Sequence, residues 1–225
     1  MRPLTNNYLL AADVRRLAGL GLLERVSVPG ADFLFERRGG YVKLHFRVSD
    51  ASARLPPRTE TVVASFVYRS APDPGISGWL TAQGFEHSAS RLRLEAERLV
   101  VSPAGKTVTA ATREEADDLF GSAFDKLTAD LPSEYGALLA VRDENGAAAG
   151  ILHAGSPRYI AVRPEYRGQG IASALYSAYA ASGAYGGGVL RAWVAERNPA
   201  ARALYAKLGF EPDGYRAEYY VLSPR

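Results

Sequence analysis

The sequence predicts an α/β fold of the α+β, mixed-sheet kind, built as a degenerate half-copy of a domain followed by a complete copy. Two observations support this prediction. From residue 106 onward, segments with strand periodicity alternate with segments with helical periodicity. In addition, a helix-to-strand segment around Gly84 resembles one around Gly209. We therefore expect a degenerate domain at residues 1–99 and a complete domain at residues 106–225.

The composition of the chain is that of an ordinary globular protein. Hydrophobic residues make up 47% of the 225 residues and charged residues 23%. No run of apolar residues approaches the length of a membrane span, and the first residues lack the apolar core of a signal peptide. We therefore expect a cytoplasmic protein that does not associate with membranes.

Neither a metal site nor a nucleic-acid site is predicted. The chain has no cysteine, and its three histidines, His45, His87 and His153, lack the spacing of metal ligands. The net charge is only +3, and the arginines are scattered rather than clustered with aromatic residues. We expect no metal and no nucleic-acid partner, although a nucleic-acid-binding module is an alternative that salt-dependent binding would reveal.

The elements of the second half can be assigned in chain order. A capping box, Thr-Arg-Glu-Glu, opens a helix at Thr112, and an Asn-Gly turn at Asn145 joins two strands as a hairpin. Strand patterns cover residues 106–110, 137–142, 148–153, 158–163 and 189–194.

The stretch EYRGQGIASALYSAY, residues 165–179, places Gly168 and Gly170 directly before a helix that starts near Ile171. Amide hydrogens at a helix N-terminus have no partner within the helix, and glycines let several of them converge on an anion. The alternative is that the glycines only make a tight turn. A Rossmann fingerprint would need a third glycine where Ser173 stands, and no P-loop motif occurs in the chain.

A second motif follows the strand at 189–194. Asn198 is placed as an N-cap, Pro199 at the first helical position and Gly209 as the stop of a short helix that carries Tyr205.

The two motifs together, VRPEYRGQGIA at 162–172 and NxxAxxLYxxxGF at 198–210, resemble those of the Gcn5-related N-acetyltransferase (GNAT) superfamily. The resemblance covers about residues 106–222. It implies a mixed sheet in which two adjacent parallel strands splay apart and acetyl-CoA, as cosubstrate, enters the gap.

The resemblance also assigns site residues. It implies that backbone groups of Ile160, Ala161 and Val162 pair with the pantetheine arm and that Asn198 and Tyr205 contact the cofactor. The pyrophosphate is then held by the following residues: Arg167, Gly168, Gln169, Gly170, Ile171, Ala172 and Ser173.

The implied reaction moves an acetyl group from acetyl-CoA to a primary amine of a small molecule or a peptide. Tyr205 matches the motif position that in the family protonates the leaving thiolate. The alternative is that its side chain only packs against its neighbours. The strand at 158–163 lacks the glutamate that many members use as a base, so His153 is the first candidate. Rivals are a water chain and three carboxylates: Glu134, Glu196 and Glu218.

Two functional interpretations remain open at this point. The first is an acyl-CoA-dependent N-acyltransferase, and the alternative is a non-catalytic CoA-binding pseudoenzyme or sensor. The acidic residues at 114–118 either attract a cationic amine or, as we favour, only stabilise the N-terminus of their helix through its dipole. The oligomeric state, a homodimer included, is not fixed by the sequence.

The first half shows a partial repeat. Gly84 and Gly209 differ by 125, whereas Gly40 and Gly146, in two hairpin-like stretches, differ by 106. A duplication explains both offsets if about 19 residues are missing from the first copy. In the second copy this interval holds a strand, the loop that contains Gly168 and Gly170 (the glycine loop) and a helix. We then expect no CoA site in residues 1–99. Chance similarity of short segments is the alternative.

Overall fold

The structure is a computed structural model that describes residues 2–6, 9–101, 105–125, 127, 135–155, 159–183 and 188–224. It divides the chain into two compact units. The first contains Met1–Ser90 and Tyr215–Arg225, and the second contains Arg91–Gly214. Most of the C-terminal strand therefore belongs to the first unit, although it follows the second unit in sequence.

The first unit is a mixed sheet with two helices. Its elements are β1 (Leu4–Thr5), α1 (Ala11–Gly19), β2 (Leu23–Val28), β3 (Ala31–Arg38), β4 (Tyr41–Val48), β5 (Val62–Arg69), α2 (Pro74–Ala82) and the start of β6 (Glu86–Ala96). Strands β2, β3 and β4 form an antiparallel meander, and β4 pairs in parallel with β5. The other edge of β5 pairs with residues 215–222 of β12 (Glu211–Leu222).

The core of the first unit lies between one face of this sheet and α2. Alternate residues of β3 and β4 point to the same face, so Phe33, Phe35, Leu44 and Phe46 are all buried there. Trp79 of α2 packs on them, with its ring centroid 4.8 Å from that of Phe46. Burial of these aromatic side chains holds α2 on the sheet.

The second unit contains the glycine loop. Its elements are β7 (Val108–Ala110), α3 (Arg113–Ala123), β8 (Leu138–Arg142), β9 (Ala148–His153), β10 (Tyr159–Val162), α4 (Ile171–Ala181), β11 (Leu190–Ala195) and α5 (Pro199–Lys207). The strand order β10-β9-β8-β7 is antiparallel throughout, and β11 pairs with residues 91–96 of β6. Of the helices that the structure describes, none combines the length and apolar character needed to cross a bilayer.

Helix α4 covers the four-stranded sheet of the second unit. Ile171, Leu175, Tyr176 and Tyr179 are all buried on its inner face. The helix lies so close to β9 that a Cβ atom added at Gly150 would stand 2.6 Å from Cγ2 of Ile171. Gly150 therefore sets the distance between α4 and the sheet.

The structure also shows the 125-residue offset between the two halves. Helices α2 and α5 each begin with a side-chain cap followed by proline, Asp73 with Pro74 and Asn198 with Pro199. Each is followed by a left-handed glycine, Gly84 at φ 92° and Gly209 at φ 86°. The two halves therefore repeat the same helix-to-strand unit, in agreement with the tandem arrangement that the sequence predicts.

The order of elements corrects one detail of the predicted repeat. The predicted repeat matches the stretch around Gly40 with the β8–β9 hairpin, but an additional strand, β2, precedes this stretch. In chain order, β2, β3 and β4 therefore correspond to β8, β9 and β10, and the strand thought to be missing is present as β4. What the first unit lacks is a glycine loop and a helix, because residues 49–61, all described, form neither helix nor strand.

Candidate active site

The glycine loop reaches α4 through two left-handed residues. A single 3-10 turn, Pro164–Tyr166, follows β10, and Gly168 and Gly170 both have a φ of 77°. Gly170 is the N-cap of α4, and no side chain caps the first amides of the helix. A Cβ at either glycine would meet nothing within 4 Å. The glycines are thus required by their backbone conformation and not by a lack of room for a side chain.

Side chains on both flanks fix this loop. The Tyr166 hydroxyl donates to Oδ2 of Asp143 at 3.0 Å, and Asp143 also accepts two amides of the β8–β9 turn. Nε of Arg167 donates to the carbonyl oxygen of Val162 at 3.2 Å, and the Gln169 amide donates to the carbonyl oxygen of Glu165. These bonds tie the loop to the β8–β9 turn and to the end of β10.

Burial is the largest influence on Asp143 and raises its pKa, but the bonds from Ala147, Tyr166 and Asn145 together leave that pKa below its usual value. The bond to Asp143 raises the pKa of Tyr166. At neutral pH the carboxylate and the phenol are in the protonation states that their hydrogen bond needs.

Strand β10 leads into this loop and has one unpaired edge. In the part of the chain that the structure describes, β10 pairs only with β9, and β11 lies at the end of a different sheet. Ile160, Ala161 and Val162 thus lie on a strand whose second row of backbone groups is not used by a neighbouring strand. Two unjoined strands are the arrangement that the resemblance implies for a pantetheine gap.

Tyr205 is buried on α5. Its ring centroid lies 5.2 Å from that of Phe210 and 6.2 Å from that of Tyr176, both edge-on. Asn198 caps the same helix, because its Oδ1 accepts the amide of Ala201 at 3.0 Å. The capping role of Asn198 is confirmed, and its contact with a cofactor stays a prediction, as does the acid role of Tyr205.

His153, the first candidate for the base, is 2% exposed at the end of β9. Its Nε2 accepts the backbone amide of Gly136 at 2.9 Å, so the lone pair on this nitrogen is already engaged. A Cβ at Gly155 would stand 2.5 Å from the same Nε2. The base role of His153 stays a prediction, and this contact favours a structural role for Nε2.

The rival carboxylates are placed differently. Glu218 lies on β12 in the first unit and accepts hydrogen bonds from Tyr68, His87 and Ser90 at 2.8, 2.7 and 2.6 Å. Glu134 lies outside the described residues, and Glu196 follows β11 at intermediate exposure. Because Glu218 is saturated with donors, it is poorly suited to accept a further proton.

The acidic run at the start of α3 is engaged with neighbouring side chains. Arg142 pairs with Glu115, Arg163 with Asp118 at 2.9 Å, and the hydroxyl of Tyr135 donates to Asp117 at 3.0 Å. Burial and the bond to Asp117 raise the pKa of Tyr135 to about 12. These contacts favour a structural role for the run, and they keep the phenol of Tyr135 protonated at neutral pH.

Two functionally placed residues were not singled out in the sequence. Gly150 lets α4 approach β9, and Asp143 ties the glycine loop to the neighbouring turn. The run Ala148-Ala149-Gly150 signals the first, because small residues in a strand allow a close backbone approach. Only the structure brings Asp143 and Tyr166 together, since 23 residues separate them along the chain.

Comparison with known proteins gives a family for part of the chain. Residues 134–212 match the family model described as acetyltransferase (GNAT) domain, and this segment lies wholly in the second unit. No curated protein matches the sequence.

Solved structures resemble the chain over most of its length. A Drosophila protein aligns with a TM-score of 0.61 at 14% identity, covering 86% of this chain and 74% of its own. A GCN5-related N-acetyltransferase from Kribbella flavida aligns with a TM-score of 0.57 at 19% identity, covering 96% of both chains. A tandem GNAT protein from the clavulanic acid biosynthesis pathway aligns with a TM-score of 0.54 at 17% identity, covering 85% and 78%.

At these identities the structural neighbours establish the fold, and the family model covers the segment with the glycine loop, β10 and α5. The chain therefore has the GNAT fold, and its residues 134–212 match the acetyltransferase (GNAT) domain model.

Proposed function

We propose that the chain is an N-acetyltransferase that moves an acetyl group from acetyl-CoA to a primary amine, with its active site in the second unit. The observation that carries the proposal is the start of α4. There two left-handed glycines precede a helix whose first amides are not capped by a side chain, and the space beside each glycine is open. Converging amides at the positive end of a helix suit a pyrophosphate.

The loop at 167–173 and the open edge of β10 together fit an extended acetyl-CoA molecule. The loop at 167–173 follows the C-terminal end of β10, so a ligand anchored there can extend back along the open edge of that strand. Four strand residues span about 13 Å. The thioester end then comes near the start of β10, beside Tyr159 and His153, whose rings stack at 6.1 Å.

The chemistry asked of the chain is limited. It must hold the thioester and the amine together, let the ammonium group lose a proton and supply a proton to the departing thiolate. Tyr205 is our candidate for the last step, because a phenol, with an ordinary pKa of about 10, keeps its proton at neutral pH. The route of the amine proton is assigned to no single residue, since Nε2 of His153 already accepts an amide.

Gly170→Val tests this proposal by isothermal titration calorimetry with acetyl-CoA. A β-branched residue is strained at a φ of 77° and adds two methyl groups at the N-cap of α4. We expect the Kd to rise at least about tenfold, the change expected if the displaced loop can no longer make one hydrogen bond to a charged group of the ligand.

Gly40→Val is the matched control, because Gly40 has a φ of 98° and open space but lies in the turn between β3 and β4 of the first unit. It should carry a similar conformational cost and bind acetyl-CoA with unchanged affinity. Equal affinity in both folded variants would refute the pyrophosphate site.

A non-catalytic CoA-binding protein is the second candidate, and one observation favours it. The nitrogen of His153 that could serve as a base is engaged, and β10 carries no carboxylate. Release of free thiol from acetyl-CoA in the presence of a panel of amines separates the two functions. Tight binding with no amine-dependent thiol release would favour the sensor.

A further inference from the structure

A gap opens between β4 and β5 in the first unit. One edge of β4 pairs with β3 along its whole length, from Tyr41 to Val48. The other edge pairs with β5 only at Val42–Leu44, against Val62–Ala64. Farther along, that edge pairs with β1, Leu4 opposite Val48 and Thr5 opposite Arg47. Because a strand has only two edges and β3 occupies the other, β1 must lie on the side of β5.

Asn6, which follows β1, bridges the two diverging strands. Its Nδ2 donates to the carbonyl oxygens of Leu44 on β4 and Ser65 on β5, at 3.0 and 2.9 Å. Its Oδ1 accepts the amide of Phe46 at 2.8 Å. The residue is 1% exposed, and its single carboxamide satisfies three backbone groups that the separation of the strands would otherwise leave open.

Strands β4 and β5 occupy the positions in the first copy that β10 and β11 occupy in the second. We propose that residues 4–6 are a built-in plug, which fills the first copy's counterpart of the gap where acetyl-CoA binds in the second. This inference rests on the proposed function, since that function assigns the pantetheine arm to the edge of β10.

Two features support a plug over an ordinary edge strand. In the second unit the first strand, β7, pairs with β8 at the far edge of its sheet, whereas β1 pairs with β4 at the gap. In addition, the pantetheine arm carries amide groups that bond to a strand edge, and the carboxamide of Asn6 offers the same donor and acceptor. The consequence is one acetyl-CoA per chain, with the first copy closed by its own N-terminus.

Hydrogen exchange on the full-length chain tests the plug. Asn6→Ala removes all three side-chain bonds, so amides at 46–48 and 65–67 should exchange at least about tenfold faster. Amides at 42–44 should stay protected by the remaining β4–β5 pairs. Asn145→Ala, in an exposed turn, is the control. If Asn6→Ala does not fold, Asn6→Ser keeps one hydroxyl donor and should show a smaller increase at the same amides.

Adding pantetheine tests whether the gap between β4 and β5 can bind a cofactor arm once residues 4–6 no longer fill it. In a full-length variant whose residues 2–6 are replaced by glycine and serine, pantetheine should restore protection at 46–48, and it should change nothing there in the wild type. Unchanged exchange in Asn6→Ala, or no protection by pantetheine, would overturn the inference. If only the proposed function failed, acetyl-CoA would not bind to the wild type, while the exchange results for Asn6→Ala and for the variant at residues 2–6 would stand.

Discussion

Tyr205 packs edge-on against Tyr176 and Phe210 in the core beneath α5, and its proposed role concerns only the hydroxyl group. Tyr205→Phe keeps the ring, so we expect an intact fold and unchanged acetyl-CoA affinity. The kcat for amine acetylation should fall by about 10²–10⁴, the range for loss of a general acid. Tyr179→Phe, in the same core but outside the motif, is the control. A wild-type rate in Tyr205→Phe, with chemistry rate-limiting, would reduce Tyr205 to a packing residue.

Glu218 makes the first unit sensitive to acid. Burial is the largest single influence and raises its pKa, but hydrogen bonds from Ser90, His87 and Tyr68 together bring that pKa below the ordinary 4.5. A depressed pKa in the fold means that the carboxylate contributes its full stability above the unfolded value. That contribution is lost as the pH falls through the folded value.

We therefore expect the free energy of opening of β5, measured by hydrogen exchange, to decrease as the pH is lowered below about 4.5. Glu218→Gln should be less stable at neutral pH and should show a shallower decrease in acid. Glu211→Gln, an exposed position on the same strand, is the control and should behave like the wild type. An unchanged acid profile in Glu218→Gln would show that other groups set the sensitivity.

At the scale of elements, the contact between α4 and β9 determines where the helix N-terminus lies. Gly150→Ala places a methyl group 2.6 Å from Cγ2 of Ile171 and 3.2 Å from Cγ2 of Val162, so α4 must move. We expect a loss of about 1–3 kcal/mol in the free energy of unfolding, as for overpacked cores. Acetyl-CoA should also bind more weakly, because the helix start carries the anion site.

A double-mutant cycle tests whether the destabilisation by Gly150→Ala acts through Ile171. Ile171→Leu removes the Cγ2 methyl at similar volume and should recover part of the loss caused by Gly150→Ala. Gly121→Ala, in α3 with nothing within 4 Å of its Cβ, is the control and should stabilise the chain by up to about 1 kcal/mol. Purely additive effects at positions 150 and 171 would show that the clash does not act through Ile171.

At the scale of the molecule, each unit takes a strand from the other half of the sequence. Residues 215–222 pair with β5 in the first unit, and residues 91–96 pair with β11 in the second. A chain starting at residue 101 would leave β11 without this partner and expose unpaired backbone and apolar surface.

We expect such a fragment, residues 101–225, to be poorly soluble and to lack a cooperative unfolding transition. A fragment starting at residue 86 keeps β6 and should be recovered in larger soluble amounts, because β11 is again paired. Differential scanning calorimetry of both fragments checks this. A fully stable fragment 101–225 would show that the exchanged strands are dispensable for the second unit.

The sequence by itself determined the local elements. The capping box places Thr112 and Glu115 as the structure has them, α4 begins at Ile171 as its apolar spacing predicts, and Gly209 ends α5 in the left-handed conformation. These features involve hydrogen bonds and dihedral angles within a few residues of one another, so the residue types that satisfy them can be read directly.

Only the tertiary structure decided which strands are neighbours. β12 pairs with β5 although about 150 residues separate them, as the bond between Tyr68 and Glu218 shows. Likewise, nothing in the letters of residues 4–6 places Asn6 between β4 and β5. The physical reason is that strand edges pair through backbone groups that every residue carries, so the sequence around an edge does not name its partner. Burial of the two cores selects one pairing from many, and that selection is a property of the whole fold.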